Sequence, residues 1–362
     1  MQATRQLNSA GQSIWLDNIT RELLLTGTLE QYIRDLSVTG LTSNPSIFDK
    51  ALRHGTSYDA SLHAGMRPGI SHDDLFFQLA LEDISRAADL FRPVYERTAG
   101  VDGWVSLEVS PLLASDAKST LAQAKDLHAR ANRPNLFIKI PGTPDGLAAI
   151  EEAIFAGIPI NVTLLFSAKQ YQAAADAWLR GVERRLEAGL NPNIASVASL
   201  FVSRWDVAVS GKVPAALENK LGIAVAYDCY KVYSQLLASP RWRRAFNAGA
   251  RPQRLLFAST GTKDPKASDV LYVQGLVASL TVDTMPEGTL HAFAAHGEVG
   301  PPLQPDGGDS YQVLREFTRS GIDLEALATR LQEEGAGAFV TAWKDLLGVI
   351  AAKTTAAAKV KS

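Results

Sequence analysis

The sequence has a single cysteine, Cys229, among 362 residues. No intrachain disulfide can form, which excludes a disulfide-stapled secreted scaffold. The thiol lies within YDCYKVY (227–233), where it is expected to pack as a small hydrophobe. Long apolar runs are missing as well. None approaches the length of a membrane-spanning helix, and the N-terminal MQATRQLNSAGQSIW has no apolar h-region. The chain is therefore expected in the cytoplasm, away from membranes. An excess of one charge is also absent. The 36 Lys and Arg stand against 38 Asp and Glu, a formal net charge of -2, so no basic field is present to hold nucleic acid or anionic lipid. Aromatic residues do not interleave with basic runs, which disfavours single-stranded nucleic acid.

Several chemical signatures are lacking too. The six histidines (His54, His63, His72, His128, His291, His296) are scattered, with no HxxxH or HxH pair. That disfavours a metal-dependent reaction. No GxGxxG follows an apolar run, and STGTKDP (259–265) lacks the leading glycine of a phosphate-binding loop. No GxSxG elbow is present.

What is present is an ordinary globular composition, 46% hydrophobic and 20% charged. Short apolar runs recur and end in turn residues: SIWLDN (13–18), VTGLTSNP (38–45), DGWVSLEVSP (102–111), NLFIKIPG (135–142), PINVTLLF (159–166), IASVASLFVSR (194–204), RLLFAST (254–260) and TLHAFAAHG (289–297). Several are nearly continuously apolar, as parallel strands covered on both faces are. Helical patterns lie between them, as in 121–131, 168–189 and 229–246. Strand and helix alternating eight times predict a (β/α)8 barrel, a single domain over 1–362. The long gap from 45 to 102 requires helices inserted after the second strand. The tail from 309 reads as further helix, with 354–362 fraying. GTPDG (142–146) reads as a turn into the helix at LAAIEEAI. His296 would end the eighth strand.

Active sites of such barrels lie at the C-terminal strand ends. The polar residues there are Asp17; Thr42 and Asn44; Glu108; Lys139; Asn161 and Thr163; Ser199 and Arg204; Ser259 and, just beyond, Lys263. Each has a bland reading. Asp17 could cap a helix or turn, Asn44 before Pro45 could start a turn, and Arg204 could pair with Asp206 or a helix end. Glu108 within VSLEV is harder to dismiss, because a lone acid on a covered strand needs a partner. Lys139 is hardest. Leu136, Phe137, Ile138 and Ile140 surround it, and lysine is almost never fully buried without compensation. A neutral amine in such a place attacks a carbonyl and forms a Schiff base, since burial disfavours ammonium ions. The iminium is an electron sink that permits the neighbouring carbon–carbon bond to break. Such chemistry also needs acid–base groups, and Asp17 and Glu108 are available.

GLTSNPSIF (40–48), DGWVSLEVSP (102–111) and NLFIKIPGT (135–143), followed in order by INVTLLFS (160–167) and ASVASLFVSR (195–204), resemble the transaldolase family, in its longer bacterial type. The likeness runs from Asp17 to the C-terminal helices. It implies a (β/α)8 barrel and a Schiff-base reaction without metal or cofactor. The reaction implied is transfer of a dihydroxyacetone unit between sugar phosphates in the pentose phosphate pathway. By the same resemblance Lys139 forms the Schiff base and Asp17 is the acid–base at the donor hydroxyl. Glu108, with Thr163, positions a water for proton transfer. Asn44, Asn161 and Ser199 hold the dihydroxyacetone hydroxyls, Thr42 and Phe201 line the pocket, and Arg204 binds phosphate. Sugar phosphates are then the partners, with no nucleic acid and no membrane, for a monomer or homodimer. Two departures stand out. SLFVSR replaces the SPFVGR of many relatives, and Gly261 stands where many supply a second phosphate arginine, two residues after Ser259. Lys263 is the nearest cation there. A fructose-6-phosphate aldolase would share the chemistry. A glycoside hydrolase using Asp17 and Glu108 leaves Lys139 without a task, and a non-catalytic sugar-phosphate-binding barrel has no need of it.

Overall fold

Eight parallel strands close into a barrel in chain order. They are β1 Gln12–Leu16, β2 Val38–Leu41, β3 Val105–Glu108, β4 Leu136–Pro141, β5 Ile160–Leu165, β6 Ser196–Phe201, β7 Gln253–Ala258 and β8 Thr281–Met285 in a computed structural model that describes residues 2–360. Every residue of every strand is buried, because side chains fill the barrel on one face and helices cover the other. This is why the runs are apolar almost without alternation.

Seven of the eight expected strands are found at their runs. The eighth is displaced. TLHAFAAHG belongs to helix Glu287–His296, and the strand is the preceding TVDTM. Leu290 and Phe293 are both fully buried and three residues apart, a helical spacing. TVDTM escapes notice because two of its three central residues are polar. Thr284 hydrogen-bonds Thr42 across the barrel mouth, and Asp283 takes a bond from Thr260 on the opposite face. His296 accordingly ends a helix, where its exposed ring meets Asp269. The helical pattern at 229–246 is also divided, into Leu221–Ala238 and Pro240–Asn247, since Pro240 cannot continue a helix.

Three helices fill the gap between β2 and β3: Pro45–His54, Asp59–Gly65 and His72–Arg97. The middle one packs outside the mouth. Next to it the Tyr58 hydroxyl accepts from the Arg21 amide, and the Arg21 guanidinium pairs with Asp83 and Glu82. The tail forms Ser310–Arg319 and the long helix Leu324–Val360, which includes 354–360 of the stretch expected to fray; 361 and 362 lie outside the described residues. By length and composition 324–355 could cross a membrane. Its apolar stripe is spent inside the protein instead. Leu331, Phe339, Trp343, Leu346 and Ile350 are buried, and Trp343 meets Phe76 edge-on while its indole donates to Asp73.

An aromatic layer lies beneath Lys139 in the barrel. Phe137, two residues before Lys139 on the same strand face, stacks on Trp104 with centroids 4.1 Å apart and lies 6.1 Å from Trp15. Gly40 makes room for this layer: a Cβ there would stand 2.5 Å from the Trp15 indole nitrogen. Cys229 is buried as expected, and burial pushes its thiol up, away from reactivity.

Among the described residues Asp283 is a buried carboxyl with no charged partner, and burial pushes it up to about 7. A carboxyl raised from 3.8 in the unfolded chain stabilises the fold below that value, and the contribution is lost as pH rises through 7. Asp283→Asn mimics the protonated acid. It should abolish a loss of stability, on the order of 4 kcal/mol, that the wild type shows between about pH 4 and 7. Urea unfolding at several pH values checks this; parallel profiles for the two proteins would refute it.

Candidate active site

Neighbouring parallel strands pair Glu108 with Lys139 and Lys139 with Asn161, so the three residues share one layer near the strand ends. Lys139 is 5% exposed and Glu108 4%. The Lys139 Nζ lies 3.4 Å from Glu108 Oε2 and donates to the Ser43 carbonyl at 3.0 Å. Among the described residues, neither Glu108 carboxyl oxygen nor Thr163 Oγ1 has a hydrogen-bond partner. Burial raises the Glu108 carboxyl. The Lys139 charge opposes this, and the nearby Asp17 charge adds to it.

Asp17 follows β1 directly, its backbone amide bonded to the Met285 carbonyl. Burial raises its carboxyl too, against the pull of Lys139, the Thr42 hydrogen bond and Lys263. Thr42 Oγ1 donates to Asp17 at 2.9 Å, so in the 2.7 Å contact with Thr284 the Thr284 hydroxyl must donate. Asn44 satisfies its bland reading and more: its Oδ1 caps helix Pro45–His54 through the Ile47 amide, and its side chain also lines the mouth.

The mouth is a cavity of about 340 Å³. It brings together Asp17, Thr42, Asn44, Lys139, Thr163, Ser199, Phe201, Arg204, Ser259 and Lys263, all expected from sequence. Glu108 and Asn161 are not on its wall. Glu108 reaches it through Lys139. Asn161 reaches it through Ser199, whose hydroxyl it accepts at 2.7 Å while its own amide donates to Ser106. Arg204 lies past the end of β6, in helix Ser203–Val209. It does not pair with Asp206, which is occupied by the Leu221 and Gly222 amides and the Tyr272 hydroxyl. Its guanidinium sits 5.0 Å from the Phe201 ring centroid, with burial lowering its pKa and Glu334 opposing that. Ser259 adopts φ 58°, a strained left-handed conformation at the end of β7, and shares a 2.9 Å contact with Ser203.

Six lining residues escaped the sequence reading: Ser46 and Lys50 on helix Pro45–His54, Ala258 at the end of β7, Thr284 on β8, Pro286 just after it, and Phe339 on the C-terminal helix. Ser46 and Lys50 are four apart, one face of a helix whose first residues follow the TSNP element, and that spacing was the available signal. Among the described residues, Arg204, Lys263 and Lys50 form no salt bridge, so three cations face the cavity without a bonded carboxylate. A larger cavity of about 400 Å³ between the outer helices is mostly apolar and holds none of these groups.

Fold and site together define the class: a (β/α)8-barrel enzyme with a lysine–carboxylate pair at the C-terminal strand ends. The chain belongs to the transaldolase/fructose-6-phosphate aldolase family, whose model matches residues 14–350. It is 44% identical over 353 residues to the transaldolase of Parafrankia sp., covering 95% of this chain and 96% of that protein. It is 43% identical over 361 residues to that of Thermobifida fusca, covering 97% and 98%. With the transaldolase of Thiobacillus denitrificans it shares 41% over 358 residues, covering 97% and 100%.

Proposed function

We propose that this one-domain chain is a cytoplasmic transaldolase. It moves a dihydroxyacetone unit from sedoheptulose 7-phosphate to glyceraldehyde 3-phosphate, giving erythrose 4-phosphate and fructose 6-phosphate in the pentose phosphate pathway. The observation that carries this reading is the buried Lys139–Glu108 pair beneath a polar mouth rimmed by unpaired cations. Lys139 passes its proton to Glu108 and attacks the ketose carbonyl; loss of water leaves the iminium. Glu108 and Thr163, with three polar oxygens unused by the protein, hold the water that ferries these protons. Asp17 then takes the proton of the hydroxyl on the carbon beyond the breaking bond. The bond's electron pair flows into the iminium, the aldose leaves, and an enamine remains on Lys139. The acceptor aldehyde reverses these steps, with Asp17 returning the proton. Thr42 keeps Asp17 oriented. Asn44 and Ser199, the latter backed by Asn161, hold the hydroxyls of the three-carbon unit, and Phe201 walls the pocket.

Phosphate falls to Arg204, Ser259 and Lys263. A Cβ on Gly261 would stand 3.7 Å from the Lys263 amine, so Lys263 reaches back to the position where many relatives carry arginine. Fructose-6-phosphate aldolase activity shares this chemistry and is separated from it by water competing with the acceptor and by the tuning of the proton-transfer groups.

Borohydride added with fructose 6-phosphate should fix a three-carbon adduct on Lys139, located by peptide mass mapping. Lys139→Arg should lose all turnover, because guanidinium stays protonated. Asp17→Ala should still be trapped, now with the uncleaved sugar, while cleavage falls about a hundred- to ten-thousand-fold. An adduct on another lysine would sink the scheme.

Arg204→Ala should lower kcat/KM for fructose 6-phosphate about ten- to a hundred-fold and leave that for unphosphorylated fructose nearly unchanged. Lys263→Ala should do the same more weakly. Lys50→Met should reduce kcat/KM only at low ionic strength, since an exposed cation steers an anionic substrate through a field that salt screens. A Lys50 effect that persists undiminished in high salt would instead mark direct contact.

A further inference from the structure

Gly335 lies on the C-terminal helix where that helix crosses the mouth. One turn earlier, the buried Gln332 donates to the carbonyls of Gly142 and Leu164 at 3.1 and 2.9 Å, pinning the helix to the ends of β4 and β5. One turn later, Phe339 lines the cavity. Between them Gly335 is buried, and a Cβ there would stand 3.2 Å from Arg204 Nη1, 3.0 Å from Leu164 Cδ2 and 3.6 Å from Phe166 Cζ. The Arg204 guanidinium thus occupies a slot between the Phe201 ring and the bare backbone of Gly335. Leu164 is poorly placed to yield, because it is fully buried and already held at φ 59°. Glycine in a helix interior is unfavourable relative to alanine. The same helix carries Gly337 and Gly348, where a Cβ would meet nothing within 4 Å.

We infer that Gly335 is a positioning residue for Arg204: its missing side chain sets where the guanidinium lies, and so sets the preference for phosphorylated over neutral ketoses. The inference rests on Arg204 binding the substrate phosphate.

The test compares two alanine substitutions in one helix. Gly335→Ala and Gly337→Ala gain the same helix propensity, and only the first meets Arg204. Gly335→Ala should raise KM for fructose 6-phosphate about three- to tenfold, with kcat little changed and kcat/KM for fructose unchanged. It should raise the inhibition constant of inorganic phosphate by the same factor. Gly337→Ala should leave all of these as in the wild type. On an Arg204→Lys background, which lacks the Nη1 branch, Gly335→Ala should add no further penalty. Melting temperatures separate these effects from misfolding, and the double variant is decisive if Gly335→Ala is unstable alone. Equal behaviour of the two glycines, equal penalties with both ketoses, or an undiminished penalty on the lysine background would overturn the inference. If Arg204→Ala itself failed to discriminate between the ketoses, the phosphate role of Arg204 would fall instead.

Discussion

The Glu108–Lys139 ion pair is the constraint on which the mouth depends. Removing an ion from water costs several kcal/mol even after relaxation, and both partners are almost sealed from solvent. Mutual attraction at 3.4 Å and the Ser43 carbonyl offset part of that cost. Register does the placing: residues paired across adjacent parallel strands project from the same layer. Asp17 adds a second carboxylate, so two acids share one internal ammonium. Each acid is raised by burial and pulled back by Lys139. The balance of positive charge then comes from the rim, where the Lys263 charge reaches Asp17.

An aromatic layer lies directly below part of this arrangement. Strand alternation puts Trp15 two residues beneath Asp17 and Phe137 two beneath Lys139, so these two candidates stand on aromatic rings, while Ser106 lies two residues beneath Glu108. Trp15, Phe137 and Trp104 pack against one another in this aromatic layer. The opposite end is closed by polar contacts. Asp102 takes bonds from Ser13 and the Trp15 indole, and Arg254 donates to Ser13 and the Thr281 carbonyl. These tie β1, β7 and β8 to the loop before β3.

Much of this was legible because parallel strands buried on both faces leave dense apolar runs, and a charge inside such a run is conspicuous. Lys139 and Glu108 stand out for that reason. β8 does not, since Thr281, Asp283 and Thr284 make it read as loop, and the apolar residues of the following helix take its place. Ser46, Lys50 and Phe339 were hidden for a different reason. They reach the mouth through the packing of helix Pro45–His54 and the C-terminal helix over the barrel; the four-residue spacing puts Ser46 and Lys50 on one helix face but does not record that this face turns towards a strand end. Arg204 was legible as a cation near β6. That Asp206 would be fully engaged elsewhere, leaving Arg204 unpaired, was not, because Asp206 finds its partners at Leu221, Gly222 and Tyr272, distant in the chain.

The C-terminal helix shows how far composition can mislead without tertiary context. Its length and apolarity suit a membrane span, yet its buried positions recur every three or four residues and face one side. A span wants apolar side chains all round; this helix keeps Lys344, Asp345, Glu333 and Glu334 on the opposite side, exposed. Its stripe is also not uniform. Leu331 and Phe339 bracket Gln332 and Gly335, a polar clamp and a gap in an otherwise apolar face. A helix recruited only to bury surface would gain from filling that gap. Leaving it open lets the Arg204 guanidinium lie against the helix backbone, so the same stripe that anchors the helix also shapes the wall of the mouth.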